Sequence, residues 1–138
     1  MPYKIHFKNN GFFLKHTGLV TLSEINEVNG VIHGHKNFDE HKFQVIDLLN
    51  ADLSNIDIED ADEPGTIDSI ASKSNPYVKV AIIAVDEQTI KFCENYIGSA
   101  IQIGIEWKFR VFSNTDLAFQ WIGVKPSLAF DIRDDRVD

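Results

Sequence analysis

The stretch Tyr77–Val85, YVKVAIIAV, decides the fold. Lys79 is its only charged residue, Pro76 breaks the chain just before it, and Asp86 closes it as a helix cap would. A short apolar run this rich in β-branched residues fits a strand buried on both faces. Such a strand needs helices over both sides of its sheet, and the neighbouring segments carry the patterns to supply them.

On the carboxyl side, Asp86 heads a long helix with Ile90, Cys93, Ile97, Ala100 and Ile101 as its apolar stripe and Gly104 as its exit. Trp107–Phe112 reads as the last strand. Trp107, Phe109 and Val111 alternate with Lys108 and Arg110, the pattern of a strand with one wet face at a sheet edge. Ser113 or Asn114 caps a short helix in which Leu117, Ala118, Trp121 and Ile122 point inward, ending at Gly123. Pro126–Ile132 alternates through Leu128, Phe130 and Ile132 and is expected to lie over the body, with a loose end at 134–138.

On the amino side, Lys42–Leu49 (KFQVIDLL) is the strand expected beside the central run, apolar except for Gln44 and Asp47. Lys4–Lys8 and Phe12–His16 flank Asn9-Asn10-Gly11 and predict a hairpin, with Ile5 and Phe7 inward. A helix follows. Thr21 and Glu24 have the spacing of a capping box, and Val20 and Ile25 that of a hydrophobic staple. Leu22, Ile25, Val28 and Ile32 form its buried stripe and Gly34 its stop. Between the two inner strands the chain turns acidic, with Asp52, Asp57, Glu59, Asp60, Asp62, Glu63 and Asp68. Ser54 is placed to cap a first turn there, and Thr66 to start a helix with Ile67, Ile70 and Ala71 on one face, ended by Asn75-Pro76. The prediction is one α/β domain over residues 1–125, a mixed sheet of about five strands with covering helices, and a tail at 126–138. Ile25, Val45, Val80, Ile82, Ile90, Cys93, Phe109 and Trp121 are expected in the core.

The totals agree with a globular domain: 138 residues, 43% hydrophobic and 25% charged. A net charge of −8, with 13 scattered Lys and Arg, argues against nucleic acid, which requires a basic footprint. No run reaches the roughly 18 apolar residues of a membrane span. The amino-terminal residues alternate and lack a signal peptide's apolar stretch. The lone cysteine, Cys93, excludes an internal disulfide. Together these features point to the cytoplasm.

Three segments carry a resemblance: GFFLKHTGLVTLSEI (11–25), VKVAIIAV (78–85) and WKFRVFSNTDLAFQWI (107–122). In their order they resemble the STAS-like fold of anti-sigma-factor antagonists. More closely, they are similar to the bacterial SpoIIAA-like group, also described as STAS/SEC14-related, over roughly residues 3–123. In antagonists of the sigma-regulatory type, a partner kinase phosphorylates a serine in an Asp-Ser-Ser-Gly-like turn. The corresponding loop here is Asp52-Leu53-Ser54-Asn55, lacking the second serine and the glycine. The SEC14 side of the resemblance implies an apolar or lipid-like ligand.

No P-loop, G-x-G-x-x-G or G-x-S-x-G is present. His33, His35, Asp39 and His41 approach a zinc pattern, but Asp39 falls two residues late, and a solvated loop is the expected reading. The acidic block lacks a calcium loop's register and reads as a solvated face. Asp47 inside an apolar strand is either a proton-transfer group or a strand-end residue bonded to loop amides. Cys93 lies on a buried stripe and reads as a packed thiol. The expected function is a non-catalytic binding or regulatory module for a small apolar, lipid-like ligand or a protein partner, without cofactor or metal, and a homodimer is left open. The rival is a small enzyme using Asp47 and Asp52 or the His33-His35-His41 loop. The carboxyl ends of parallel strands are where ligands bind in open α/β sheets. Asp52, Ser54 and Asp86 are therefore expected to form an acidic interaction rim there, with Asp47 nearby.

Overall fold

The computed structural model describes residues 3–8, 10–35, 38–57 and 75–124. Its strands are β1 (Tyr3–Lys8), β2 (Gly11–Leu19), β3 (Phe43–Asp52), β4 (Lys79–Ile83) and β5 (Lys108–Phe112). The helices among the described residues are α1 (Leu22–His33), α2 (Glu87–Gln102) and α3 (Thr115–Ile122), with a 3-10 turn at Phe38–Glu40. The strands form one five-stranded sheet in the order β1-β2-β3-β4-β5. β1 and β2 pair antiparallel, and every later neighbour is parallel. The expected mixed α/β sheet is thus present, with β4 inside it between two parallel partners and β5 at the edge. The Thr66 helix, most of the acidic block and the segment after Lys125 lie outside the described residues.

Strand alternation divides the sheet into two faces. Ile5, Phe12, Leu14, Val80 and Ile82 face Val28 and Ile32 of α1 and Cys93 and Ala100 of α2. Phe13, Phe43, Val45, Ala81 and Ile83 face Ala118 and Phe119 of α3. The hairpin needs its glycine, because a Cβ at Gly11 would fall 2.5 Å from the Phe43 ring. α3 ends at Gly123, whose φ of 90° is the left-handed conformation glycine adopts without strain.

Of the expected core residues, Val45, Val80, Ile82 and Cys93 are buried, whereas Ile25, Ile90, Phe109 and Trp121 are only partly so. Two helical stripes need correction. Ile101 is 62% exposed and Leu117 46% exposed, while Thr89, Phe92 and Phe119 are buried instead. Ile101 and Leu117 are each one position, about 100° at 3.6 residues per turn, from the buried Ala100 and Ala118. Asn75, expected only to end a helix, is a buried latch. Its amide donates to the carbonyls of Phe38 and His41, both at 2.8 Å, and the Trp107 indole N–H donates to its carbonyl at 2.6 Å.

Candidate functional site

An apolar cavity of about 80 Å³ lies between the sheet and helices α1 and α2. Its walls include Leu14, Val28, Ile46, Leu53, Ile82 and Phe92. It sits toward the carboxyl ends of the parallel strands, under the turn that follows β3. Leu53 and Ile56 of that turn pack with Val20 and Phe92. The staple residue Ile25 packs against the same cluster.

One buried polar side chain breaks this apolar wall. His16 lies on β2 in phase with Phe12 and Leu14, so the pleat turns it inward, and it is only 4% exposed. Its Nδ1 is 2.5 Å from Glu24 Oε2 on the first turn of α1. The capping box therefore forms only by half. Thr21 Oγ1 accepts the Glu24 amide at 3.1 Å, but the Glu24 carboxylate goes to His16 rather than back to the Thr21 amide. Burial lowers the His16 pKa, and the bond to Glu24 opposes that shift only in part.

The backbone beside His16 is irregular. Lys15 pairs with Asp47 and Thr17 with Asn50, so β3 holds an extra residue opposite His16. Asp47 Oδ1 accepts the Leu49 amide at 2.9 Å within that bulge. Of the two readings of Asp47, the structure gives the residue bonded to a local amide. It follows Phe43 and Val45 in phase and so lies on the opposite face of the sheet from His16.

The residues of the expected rim lie at the same end of the sheet, each in local use. Asp52 closes β3 and accepts the Ser54 amide at 2.9 Å. The Ser54 hydroxyl and amide together hold the Asp52 carboxyl below its usual range. Ser54 is thus a partner of Asp52 and not the helix cap expected. Asp86 caps α2, accepting from the Thr89 amide at 3.1 Å and its hydroxyl at 3.2 Å. Among the described residues no hydrogen bond joins Asp86 to Asp52 or Ser54.

The histidine segment is at the other end, before β3 begins. Ten residues of strand separate it from Asp52, roughly 30 Å at about 3.3 Å per residue. Here the solvated-loop reading fails for His41, which is fully buried with both ring nitrogens unpaired. It packs among Phe7, Phe12, His35 and Phe38. His35 stacks on Phe7 at 3.8 Å, while His33 turns toward Phe38 and Trp107. His35 and His41 lie ring to ring at 5.6 Å with His33 turned away, and among the described residues no three His, Cys, Asp or Glu side chains are grouped to hold a metal.

Cys93 also lines the cavity, but burial, with a smaller contribution from Glu94, pushes its thiol up to about 12, so it stays protonated at neutral pH. A wider depression of about 390 Å³ opens at the amino ends of β3, β4 and β5, among Lys42, Lys79, Lys108 and Glu106. Its walls are largely exposed, and Lys79 Nζ is engaged by the Trp121 carbonyl at 3.3 Å. No helix among the described residues is long and apolar enough to cross a membrane.

His16 and Glu24 were not legible as site residues from spacing, although a histidine in the apolar phase of FFLKH marks a buried polar group. No family model matches the chain, and no curated protein matches it. Among solved structures, the chain is similar to an uncharacterized protein of the DUF3478 family with a SpoIIAA-like fold from Shewanella loihica. Identity is 19% over 87% of this chain and 91% of that one, with a TM-score of 0.48.

Proposed function

We propose that the protein is a non-catalytic binding module that takes a small apolar ligand into the cavity between the sheet and helices α1 and α2. The observation that carries this is a buried apolar wall interrupted by a single buried polar side chain, the usual composition of a ligand site. The volume, about 80 Å³, bounds the ligand. Ordinary pockets for drug-sized molecules run to roughly 300–1,000 Å³, and an apolar cavity that holds benzene has about 150 Å³, so a ligand smaller than a single ring fits and a whole lipid does not. The rival enzyme reading has less support, because Asp47 and Asp52 hold local amides and the histidine segment lies at the far end of β3.

Xenon tests the reading, since dry apolar cavities bind it. In ¹H–¹⁵N and methyl spectra of the full chain, xenon is expected to shift Leu14, Val28, Ile46 and Ile82 selectively. Native mass spectrometry of protein taken directly from cells is expected to show a small mass lost on denaturation. Uniform or absent xenon shifts would remove the cavity as the site.

A further inference from the structure

We infer that the depression at the amino ends of β3, β4 and β5 is a second binding site, and that it takes a small organic anion, a carboxylate with an apolar body. It lies at the opposite end of the sheet from the cavity, and the inference does not rest on the cavity being occupied. At about 390 Å³ it falls within the roughly 300–1,000 Å³ of ordinary ligand pockets.

The register of the sheet gathers the cations. Lys79 opens β4 and Lys108 opens β5, and the two are directly opposite in the parallel pairing. Lys42 stands just before β3, where its carbonyl accepts the Lys79 amide at 3.0 Å. Neighbouring strands are about 4.8 Å apart and opposed side chains share a face, so Lys79 and Lys108 are like charges in a position that destabilises a sheet. Among the described residues Glu106 is the one carboxylate on the walls, which sets three ammonium groups against a single negative charge in a chain of net charge −8. Lys79 has a use in the fold: its ammonium donates to the Trp121 carbonyl at 3.3 Å and lies 5.3 Å from the centre of the Trp121 ring. Lys42 and Lys108 are exposed, and among the described residues no hydrogen bond or ion pair holds either ammonium. An anion seated at these strand ends removes the repulsion, and Lys79, with three donors and one in use, can join in holding it.

The rest of the wall selects the body of the ligand. Buried Phe43 and Val78 and half-buried Ile122 and Val124 supply apolar surface, and Tyr77 leaves its side chain 74% exposed beside them. Inorganic phosphate would use the charges alone and leave this surface wet. A neutral ligand would leave the lysines opposed, and a cation would add to them.

Naphthoate and naphthamide, alike in shape and different in charge, separate the possibilities. Each is titrated into the full chain beside inorganic phosphate, and dissociation constants are read from the amide shifts of Lys79, Lys108 and Val124. Naphthoate is expected to bind at least about tenfold more tightly than naphthamide, a difference of about 1.4 kcal/mol, and more tightly than phosphate. Lys42→Gln combined with Lys108→Gln is expected to abolish the preference for the acid. Equal affinities for acid and amide would overturn the anion assignment, and phosphate binding as tightly as naphthoate would overturn the apolar body. No movement of these amides with any probe would remove the site. None of these outcomes touches the xenon test of the cavity, so the two sites stand or fall separately. Should the double variant not fold, ionic strength decides for the wild type. Raising NaCl from about 0.05 M to about 0.5 M must weaken naphthoate and spare naphthamide, and a naphthoate affinity that salt leaves unchanged overturns the assignment.

Discussion

The two faces of the sheet are packed to different standards. Under α3 the buried part of the face is apolar and aromatic, with Lys79 at its margin reaching the Trp121 carbonyl. Phe13 meets Phe119 edge-on at 5.8 Å and Phe43 at 5.6 Å, with Val45, Ala81, Ile83 and Ala118 between them. Under α1 and α2 the face buries His16 and His41 and leaves a void beside Ile82. Close-packed apolar contacts maximise dispersion and leave nothing unpaired, whereas unpaired polar atoms and voids cost stability. One face stabilises the fold, and the other gives up stability to hold polar groups and space.

Truncation on each face puts a number on that contrast. Phe13→Ala should be the most damaging change, about 3–5 kcal/mol, because a fully buried ring is removed from a filled layer. Ile82→Ala should fall nearer 2–3 kcal/mol, since a side chain beside a void has fewer partner atoms to lose. It should also widen the cavity, so that toluene binds the variant better than the wild type. Urea denaturation of both variants checks the order. Equal costs would mean that the two faces are packed alike.

The same contrast explains what the sequence disclosed. The α3 face and the middle of β4 are governed by burial, and burial writes itself as periodicity: the strand inside YVKVAIIAV, the Trp107–Phe112 alternation and the caps Thr21 and Asp86 are as read, Asn114 is the cap of the two offered for α3, and only the ends Tyr77 and Val85 are exposed where a strand buried on both faces was expected. The site does not follow periodicity. His16 and Glu24 are eight residues apart on different elements, and Glu24 has two competing uses that spacing cannot rank, returning to the Thr21 amide or reaching His16. The buried histidine wins because an unpaired imidazole nitrogen costs more than an exposed helix amide, which water can satisfy. His41 was hidden in the same way. Its neighbours Asp39, Glu40 and Lys42 are exposed, so local composition signals solvent while the aromatic rings of β1, β2 and the 3-10 turn close over it.

His41 gives a second way to test the polar face. Burial, helped by the proximity of His35 and opposed by Glu40, holds its pKa below the ordinary value. The folded ring thus resists protonation while the unfolded one accepts a proton near pH 6.5. The unfolded state then binds more protons as the pH falls, so stability is complete above about pH 6.5 and is lost below it. His16 shifts in the same direction and adds to the slope. His41→Phe removes two unpaired buried nitrogens and one of these protonation sites. It should raise stability at pH 7 by about 1 kcal/mol and flatten the decline between pH 6.5 and 5. Thermal melts across that range measure both effects, and an unchanged acid slope would show that His41 is hydrated in solution.

The smallest expected effect concerns the end of the sheet where carboxylates gather. Asp86 accepts from both the amide and the hydroxyl of Thr89, and Thr89 is itself 1% exposed. Asp86→Ala removes that cap and should cost about 1 kcal/mol, the ordinary value for an N-cap. Because the hydroxyl of Thr89 is buried, the loss has a second part that an exposed cap would lack: Thr89 Oγ1 is left without the acceptor that the carboxylate provides. Asp86→Asn retains an acceptor oxygen and should recover most of the stability, whereas Asp86→Ala combined with Thr89→Val should cost less than the sum of the two changes. The cap lies at the start of α2, nearly two turns before Phe92 and Cys93 on the cavity wall. Its loss should therefore speed amide exchange in that first turn and leave the xenon shifts of Leu14 and Ile82 unchanged. Loss of those xenon shifts in Asp86→Ala would instead tie the acidic rim to the cavity, and the separation between a capping role at the rim and a binding role at the cavity would fail.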